Sequence, residues 1–157
     1  MQNLNYGVIG NCSTAALISE KGAIEWLCFP EFDSPSVFAA ILDRQKGGHF
    51  GFKVTSDYKV TQSYVPHTNI LSTHFESEEG AFDVVDFMPC YPTSDGKDFY
   101  RPAEIYRYIR WAKGRPRMKV DYRPAPNYAR GKTIYNVTSQ YCLLYTSPSP
   151  RDMRRSR

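Results

Sequence analysis

The chain has 157 residues, a formal net charge of +4, and 41% hydrophobic and 15% aromatic residues, which suits one domain with a sizeable core. Arg151, Arg154, Arg155 and Arg157, set against Asp152, supply +3 of that charge, so the body is near neutral and no nucleic-acid partner is expected. No stretch approaches the roughly 20 apolar residues of a membrane helix, so no membrane partner is expected either.

Most segments alternate between apolar and polar residues, the period of half-buried strands. Residues 14–18 and 23–28 flank Glu20-Lys21-Gly22, a hairpin signal. Residues 34–43, SPSVFAAILD, break the pattern. Ser34 can cap, Pro35 suits a first helical position, and Val37, Phe38, Ile41 and Leu42 fall at helical spacing, which predicts a short helix. Residues 49–54 return to alternation, and 58–65 place Tyr58, Val60, Gln62 and Tyr64 on one face. In 69–77, Leu71, Thr73 and Phe75 oppose Ile70, Ser72 and His74. After Glu78-Glu79-Gly80, residues 81–88 complete a second hairpin. Residues 104–114 alternate Ile105, Arg107, Ile109 and Trp111 against Tyr106, Tyr108 and Arg110, and meet 117–124 across Gly114-Arg115-Pro116. Residues 133–138 form a last short strand. The fold class is therefore all-β: an antiparallel β-sandwich with one short helix.

Residues that could carry chemistry are sparse. Glu25, Glu31, Asp33, Asp83 and Asp86 lie among apolar neighbours, where paired carboxylates could do acid and base work. The plainer reading puts Glu25 and Asp83 on solvent faces and Asp33 in the loop before the predicted helix. His49, His67 and His74 lack the spacing of a zinc helix. Cys12, Cys28 and Cys90 show no metal spacing and read as reduced thiols of a cytoplasmic protein. No nucleophile elbow, phosphate loop or dinucleotide fingerprint occurs, so no cofactor is expected. Most of the aromatic residues suit a sandwich core. Trp26 and Trp111 remain candidates for an interface or ligand edge.

The end of the chain raises a separate question. Residues 142–152 reverse-translate into TGT CTC TTA TAC ACA TCT and onward, a transposase adapter used in sequencing libraries. Residues 142–157 are accordingly expected to be an artefactual, disordered tail, and residues 1–141 the N-terminal sandwich of an incomplete protein.

One long stretch carries a resemblance: IGNCSTAALI, then IEWLCFPEFDSPSVFAAILD, then GGHF, within residues 6–52. It continues through TNILSTHFES, through VVDFMP at 84–89, and through residues 104–133. These pieces resemble the N-terminal domain of bacterial family 15 glycoside hydrolases, the glucoamylase-like and trehalase-like enzymes. Many members have Asp where Glu25 stands and Arg where Glu31 stands. The resemblance implies a β-sandwich followed by a six-hairpin α/α barrel, in which two glutamates invert an α-glucosidic bond. Their carboxyls would stand about 6.5–9.5 Å apart, with water between them. That barrel is the implied partner, and a glucoside binds through it; no catalytic residue is assigned to this chain. The proline-bounded segment WLCFPEFDSPSVF would aim Trp26, Phe32 and Asp33 at a domain interface or substrate rim. The alternative is a stand-alone carbohydrate-binding β-module. A chain cut from its barrel should expose a contiguous apolar patch and be poorly soluble or self-associating.

Overall fold

The computed structural model describes residues 5–55 and 57–130, and the backbone of two further strands at 133–137 and 142–146. Strands dominate and pair antiparallel throughout, giving an all-β sandwich. The first sheet holds β1 (Tyr6–Gly10), β2 (Ala15–Ser19), β3 (Ile24–Cys28), β4 (Ser36–Ala39), β5 (His49–Lys53) and β12 (Lys119–Arg123). Its order is β1-β2-β3-β5-β12, with β4 also on β3. The second sheet is formed by β6 (Lys59–Tyr64), β7 (Leu71–Glu76), β8 (Gly80–Phe87) and β11 (Tyr106–Gly114), in the order β11-β8-β7-β6. Two small hairpins complete the list: β9 (Tyr91–Pro92) with β10 (Phe99–Tyr100), and β13 (Thr133–Val137) with β14 (Cys142–Thr146).

Strand parity sets the core. Leu71, Thr73 and Phe75 on β7, and Phe82, Val84 and Asp86 on β8, are all sealed from solvent, as a period of two demands. Ile9, Ala16, Ile18, Ile24 and Leu27 face them from the first sheet. Phe75 and Phe82 stack at 4.6 Å, and Phe52 meets both edge-on. The β2–β3 turn tucks under the second sheet. Gly22 there has φ +72°, and a Cβ on it would press on Phe75 and Thr73.

One ion pair, Arg107 with Asp86, sits inside this core. Arg107 of β11 donates to Asp86 through Nε at 2.7 Å and Nη2 at 2.9 Å. It also donates to the carbonyls of Phe50 and Gly22 on the facing sheet. Its guanidinium lies 4.9 Å from the Phe50 ring and 5.1 Å from Phe52. The two sheets are thus tied by one cation with every carbonyl and carboxylate contact satisfied.

Two expectations need correction. Residues 34–43 are not helical: Ser36–Ala39 form β4, with Phe38 beside Leu27 and its ring in the core. The Ala39 and Asp43 backbone closes turns instead, Ala39 donating to the Gly47 carbonyl. A free edge on β3 outcompetes the helical spacing. The short helical element lies at Pro126–Ala129, where Asn127 and Tyr128 take left-handed angles, and packs on β4. Strands β11 and β12 do not pair across Gly114: β11 joins β8 and β12 joins β5. Gly114 at φ +65° and the bond from Arg115 N–H to the Glu79 carbonyl turn the chain from one sheet to the other. In the stretch expected to be a disordered tail, Cys142–Thr146 form β14; the rest of it lies outside the described residues.

Candidate functional site

Antiparallel topology gathers four connections at one end of the sandwich. Gly10 pairs with Ala15 at the β1–β2 turn, and Cys28 with Ser36 at the mouth of the β3–β4 loop. Leu71 pairs with both Tyr64 and Asp86, which puts the β6–β7 turn and the exit of β8 at that same end. The exit of β8 leads into the β9–β10 hairpin.

A buried asparagine holds this end together. Asn11 Oδ1 accepts the N–H groups of Ser13 and Thr14, each at 3.1 Å, and Nδ2 donates to the Pro102 carbonyl, also at 3.1 Å. The neighbouring Thr14 hydroxyl donates to the Cys28 carbonyl, the last of β3. Phe32 N–H then bonds the Ser13 carbonyl, and Glu31 N–H bonds the Ser34 hydroxyl. Asn69 Nδ2 reaches the Gly10 carbonyl from the second sheet. Ser34, expected to cap a helix, closes this turn. The backbone is pinned while its side chains face outward: Phe32, Tyr91, Phe99, Tyr100 and Tyr106 are all exposed. Tyr91 lies 5.3 Å from Tyr100, and Tyr106 stacks on Phe87 at 5.2 Å. Arg101 sits over Phe99.

The sequence candidates divide. Phe32 and Asp33 lie on this end, both exposed. Trp26 lies mid-strand, between Leu17 and Ala39 of the neighbouring strands and half-buried against Tyr128 at 6.5 Å. Tyr91, Phe99 and Tyr100 were not singled out from sequence. Their cue was aromatic residues on both sides of the turn-forming Thr93–Lys97, TSDGK.

The carboxylates do not converge. Glu25 Oε2 accepts from the Tyr6 hydroxyl at 2.6 Å, and burial, with Glu25 second, pushes that phenol up to about 12. Asp83 lies on the outer face of the second sheet yet is buried, held by His74 at 2.6 Å and Arg110 at 2.7 Å. Asp86 is locked to Arg107. His49 bonds Asp121, and His67 is exposed in the β6–β7 turn. Among the described residues no group of three or more His, Cys, Asp or Glu side chains could hold a metal ion. No helix among them is long and apolar enough to cross a membrane.

Asp121 offers a pH test. Burial raises its carboxyl, but hydrogen bonds from His49, Arg123 and Lys53 outweigh burial and hold it well below 3.8. A depressed carboxylate contributes stability above its unfolded value and loses it as pH falls through the folded one. Asp121→Asn should therefore lower the melting temperature modestly at pH 7, since Lys53 and Arg123 are half-exposed. The gap to the native chain should close as the pH drops below 3.8. A gap independent of pH would contradict the pairing.

Comparison with known proteins follows the same lines. A family model described as "Trehalase-like, N-terminal" matches residues 5–154. The trehalase of Thermoplasma volcanium is 34% identical over 145 residues, covering 90% of this chain and 22% of that protein. Trehalase 1 of Sulfolobus acidocaldarius is 51% identical over 85 residues, 53% of this chain and 14% of that protein. The trehalase of Mycolicibacterium smegmatis is 33% identical over 141 residues, 80% of this chain and 20% of that protein. The chain thus spans about a fifth of the length of the first and third of these. No solved structure gives a significant match.

Proposed function

The chain belongs to the trehalase-like N-terminal domain family, and from that premise we propose that it is the non-catalytic sandwich of an α-glucosidic hydrolase. Its loop-built end seats an α/α barrel, and that barrel performs inverting hydrolysis of trehalose. The glucoamylase-like substrates, such as starch ends, are the runner-up within the same class. The observation that carries the reading is the rigid end surface: a backbone pinned by Asn11 presents five exposed aromatic residues and Asp33. Exposed aromatic residues on a fixed backbone lose little entropy on docking and fill a partner's pockets well.

The decisive experiment replaces the matched segment of the Thermoplasma volcanium trehalase with this chain. Trehalose hydrolysis should require the fusion, with the chain alone inert. Full activity of the remainder without any sandwich would overturn the proposal. So would saturable binding of trehalose or maltose by the chain alone, the mark of a stand-alone sugar-binding module.

The role of the β3–β4 loop is tested in the same fusion. Asp33→Ala should leave the melting temperature unchanged and lower trehalose turnover about tenfold, the equivalent of ~1.4 kcal/mol at the transition state. Unchanged kinetics would remove Asp33 from the interface.

The arginine-bearing end we read as adapter sequence foreign to the domain. The family match runs to residue 154, so the genomic reading frame beyond Tyr141 decides the point: an unbroken frame through Arg157 would refute it.

A further inference from the structure

Among the described residues, the flank of the sandwich opposite β1 and β6 is open. There the two sheets end at β11 and β12. Ile109 and Trp111 of β11 stand beside Val84 and Phe82 in register, and both of those are fully buried. Val120 of β12 stands beside Phe52, which packs on Phe75 and Phe82. Yet Ile109 is 38% exposed, Trp111 67% and Val120 48%. Within one strand spacing, about 4.8 Å, the interior passes from sealed to open. The apolar parity of the core continues past the last strands of both sheets.

The backbone shows the same incompleteness. Strand β11 has nine residues and pairs on one side with β8. Among the described residues no strand pairs with its other edge. A long apolar edge is what isolated sheets normally blunt with charge, proline or a cover. The charged residues of β11 do not serve that purpose here. Arg107 is spent in the core, Arg110 folds back onto Asp83, and Lys113 folds back onto Glu76 of β7.

We propose that this open flank is a strand-acceptor site, completed by a β-strand from elsewhere in the same longer polypeptide, apolar toward Ile109 and Trp111 and acidic around them. Strand addition supplies backbone hydrogen bonds for affinity, and alternate side chains for specificity. The trehalases that match this chain are several times longer, so a donor in the same polypeptide has ample sequence to come from. Charge sets the donor's character: with Arg107, Arg110, Lys113 and Arg123 paired to Asp86, Asp83, Glu76 and Asp121, the basic residues left for a donor are Arg115, Arg117 and Lys119, between β11 and β12 and at the start of β12. A second copy of this chain would bring two such basic flanks face to face, which disfavours it. Ile109, Trp111 and Val120 lie along the flank, further down the strands than Tyr106 at the loop-built end, and the site stands whether or not a barrel docks there.

The test uses the full 157-residue chain. It is titrated with short overlapping synthetic peptides covering the part of the Thermoplasma volcanium trehalase outside the matched segment. Amide hydrogen exchange and tryptophan emission are the readouts. At least one peptide of alternating apolar and acidic residues should slow exchange along β11 about tenfold or more and shift the emission to the blue. The opposite edge strand, β6, should be unaffected. Trp111→Asp, a change at an exposed side chain, should abolish the protection of β11; Arg115→Glu with Arg117→Glu should weaken binding and its salt dependence. A Phe32→Ser chain, altered only at the loop end, should bind as the native chain does. If no peptide protects β11, or β6 is protected equally, the proposal fails. It also fails if β11 becomes protected merely by raising the chain's own concentration, because the occupant is then a second copy.

Discussion

Arg107→Met should cost the domain about 3–5 kcal/mol, the penalty for stranding one member of a buried ion pair. Chemical denaturation of native and variant chains measures it. Asp86 is fully buried, and two of its hydrogen bonds come from Arg107. Removing the guanidinium also takes a donor from the carbonyls of Phe50 and Gly22 and a cation from beside two rings. The pH dependence of the loss has a definite sign. Burial already pushes the Asp86 carboxyl above 3.8, with Arg107 pulling it back. Without Arg107 the carboxyl rises further, so the folded variant takes up a proton more readily than its unfolded chain does. Its deficit is therefore largest at neutral pH and shrinks as the solution is acidified. The double variant Arg107→Met with Asp86→Leu should recover most of the loss, because a well-packed apolar pair often equals a buried ion pair. A single variant as stable as the native chain would show that the pair is not closed in solution.

Asn11→Ala should cost about 2–6 kcal/mol, since it strips the partner from the buried Thr14 N–H and Pro102 carbonyl, at ~1–3 kcal/mol for each group left unsatisfied, while the Ser13 N–H is only part-buried. The side chain is sealed from solvent, and its Oδ1 accepts both N–H groups of the turn. Asn11→Asp separates geometry from packing. The carboxylate keeps both N–H acceptances but turns an oxygen toward the Pro102 carbonyl, so it should retain the turn and release the β10–β11 connection. Hydrogen exchange should then quicken around residues 101–105 in Asn11→Asp, and also at Ser13, Thr14 and Phe32 in Asn11→Ala. In the trehalase fusion, Asn11→Ala should depress turnover along with stability. Unaltered exchange at Phe32 would mean the β3–β4 loop holds its shape without the asparagine.

How much of this was legible in the sequence depends on the range of the forces. The β7–β8 hairpin was readable, because Leu71, Thr73 and Phe75 alternate with Ser72 and His74 and the turn residues follow at once. The β4 strand was not. Its helical spacing is real, but Phe38 gains more by pairing beside Leu27 and filling the core than a short helix would gain locally. Strand β1 was overlooked because Gly7 and Gly10 dilute its alternation, and β2 supplies the partner that makes it a strand. The Arg107–Asp86 pair was hidden by its residue types. Parity was the available clue: Arg107 shares its face with Ile109 and Trp111, and Asp86 shares its face with Val84. Of the loop-built end, the sequence pointed only to Phe32 and Asp33, where prolines bound the segment, and both lie there exposed. Its aromatic hairpin and its asparagine clamp depend on contacts across long stretches of chain, which local pattern does not encode.

Gly51 finds its partner Asp121 seventy positions later. On a translating ribosome, the hairpins β1–β2–β3 and β6–β7–β8 emerge and close from neighbouring sequence, but β5 must wait for β12. Until then Phe50 and Phe52 lack β12 along their outer edge, and until Arg107 emerges they also lack the guanidinium that later lies over them. The nascent domain therefore passes through a vulnerable stage with a bare aromatic edge, when capture by a chaperone or by another growing chain competes with correct closure.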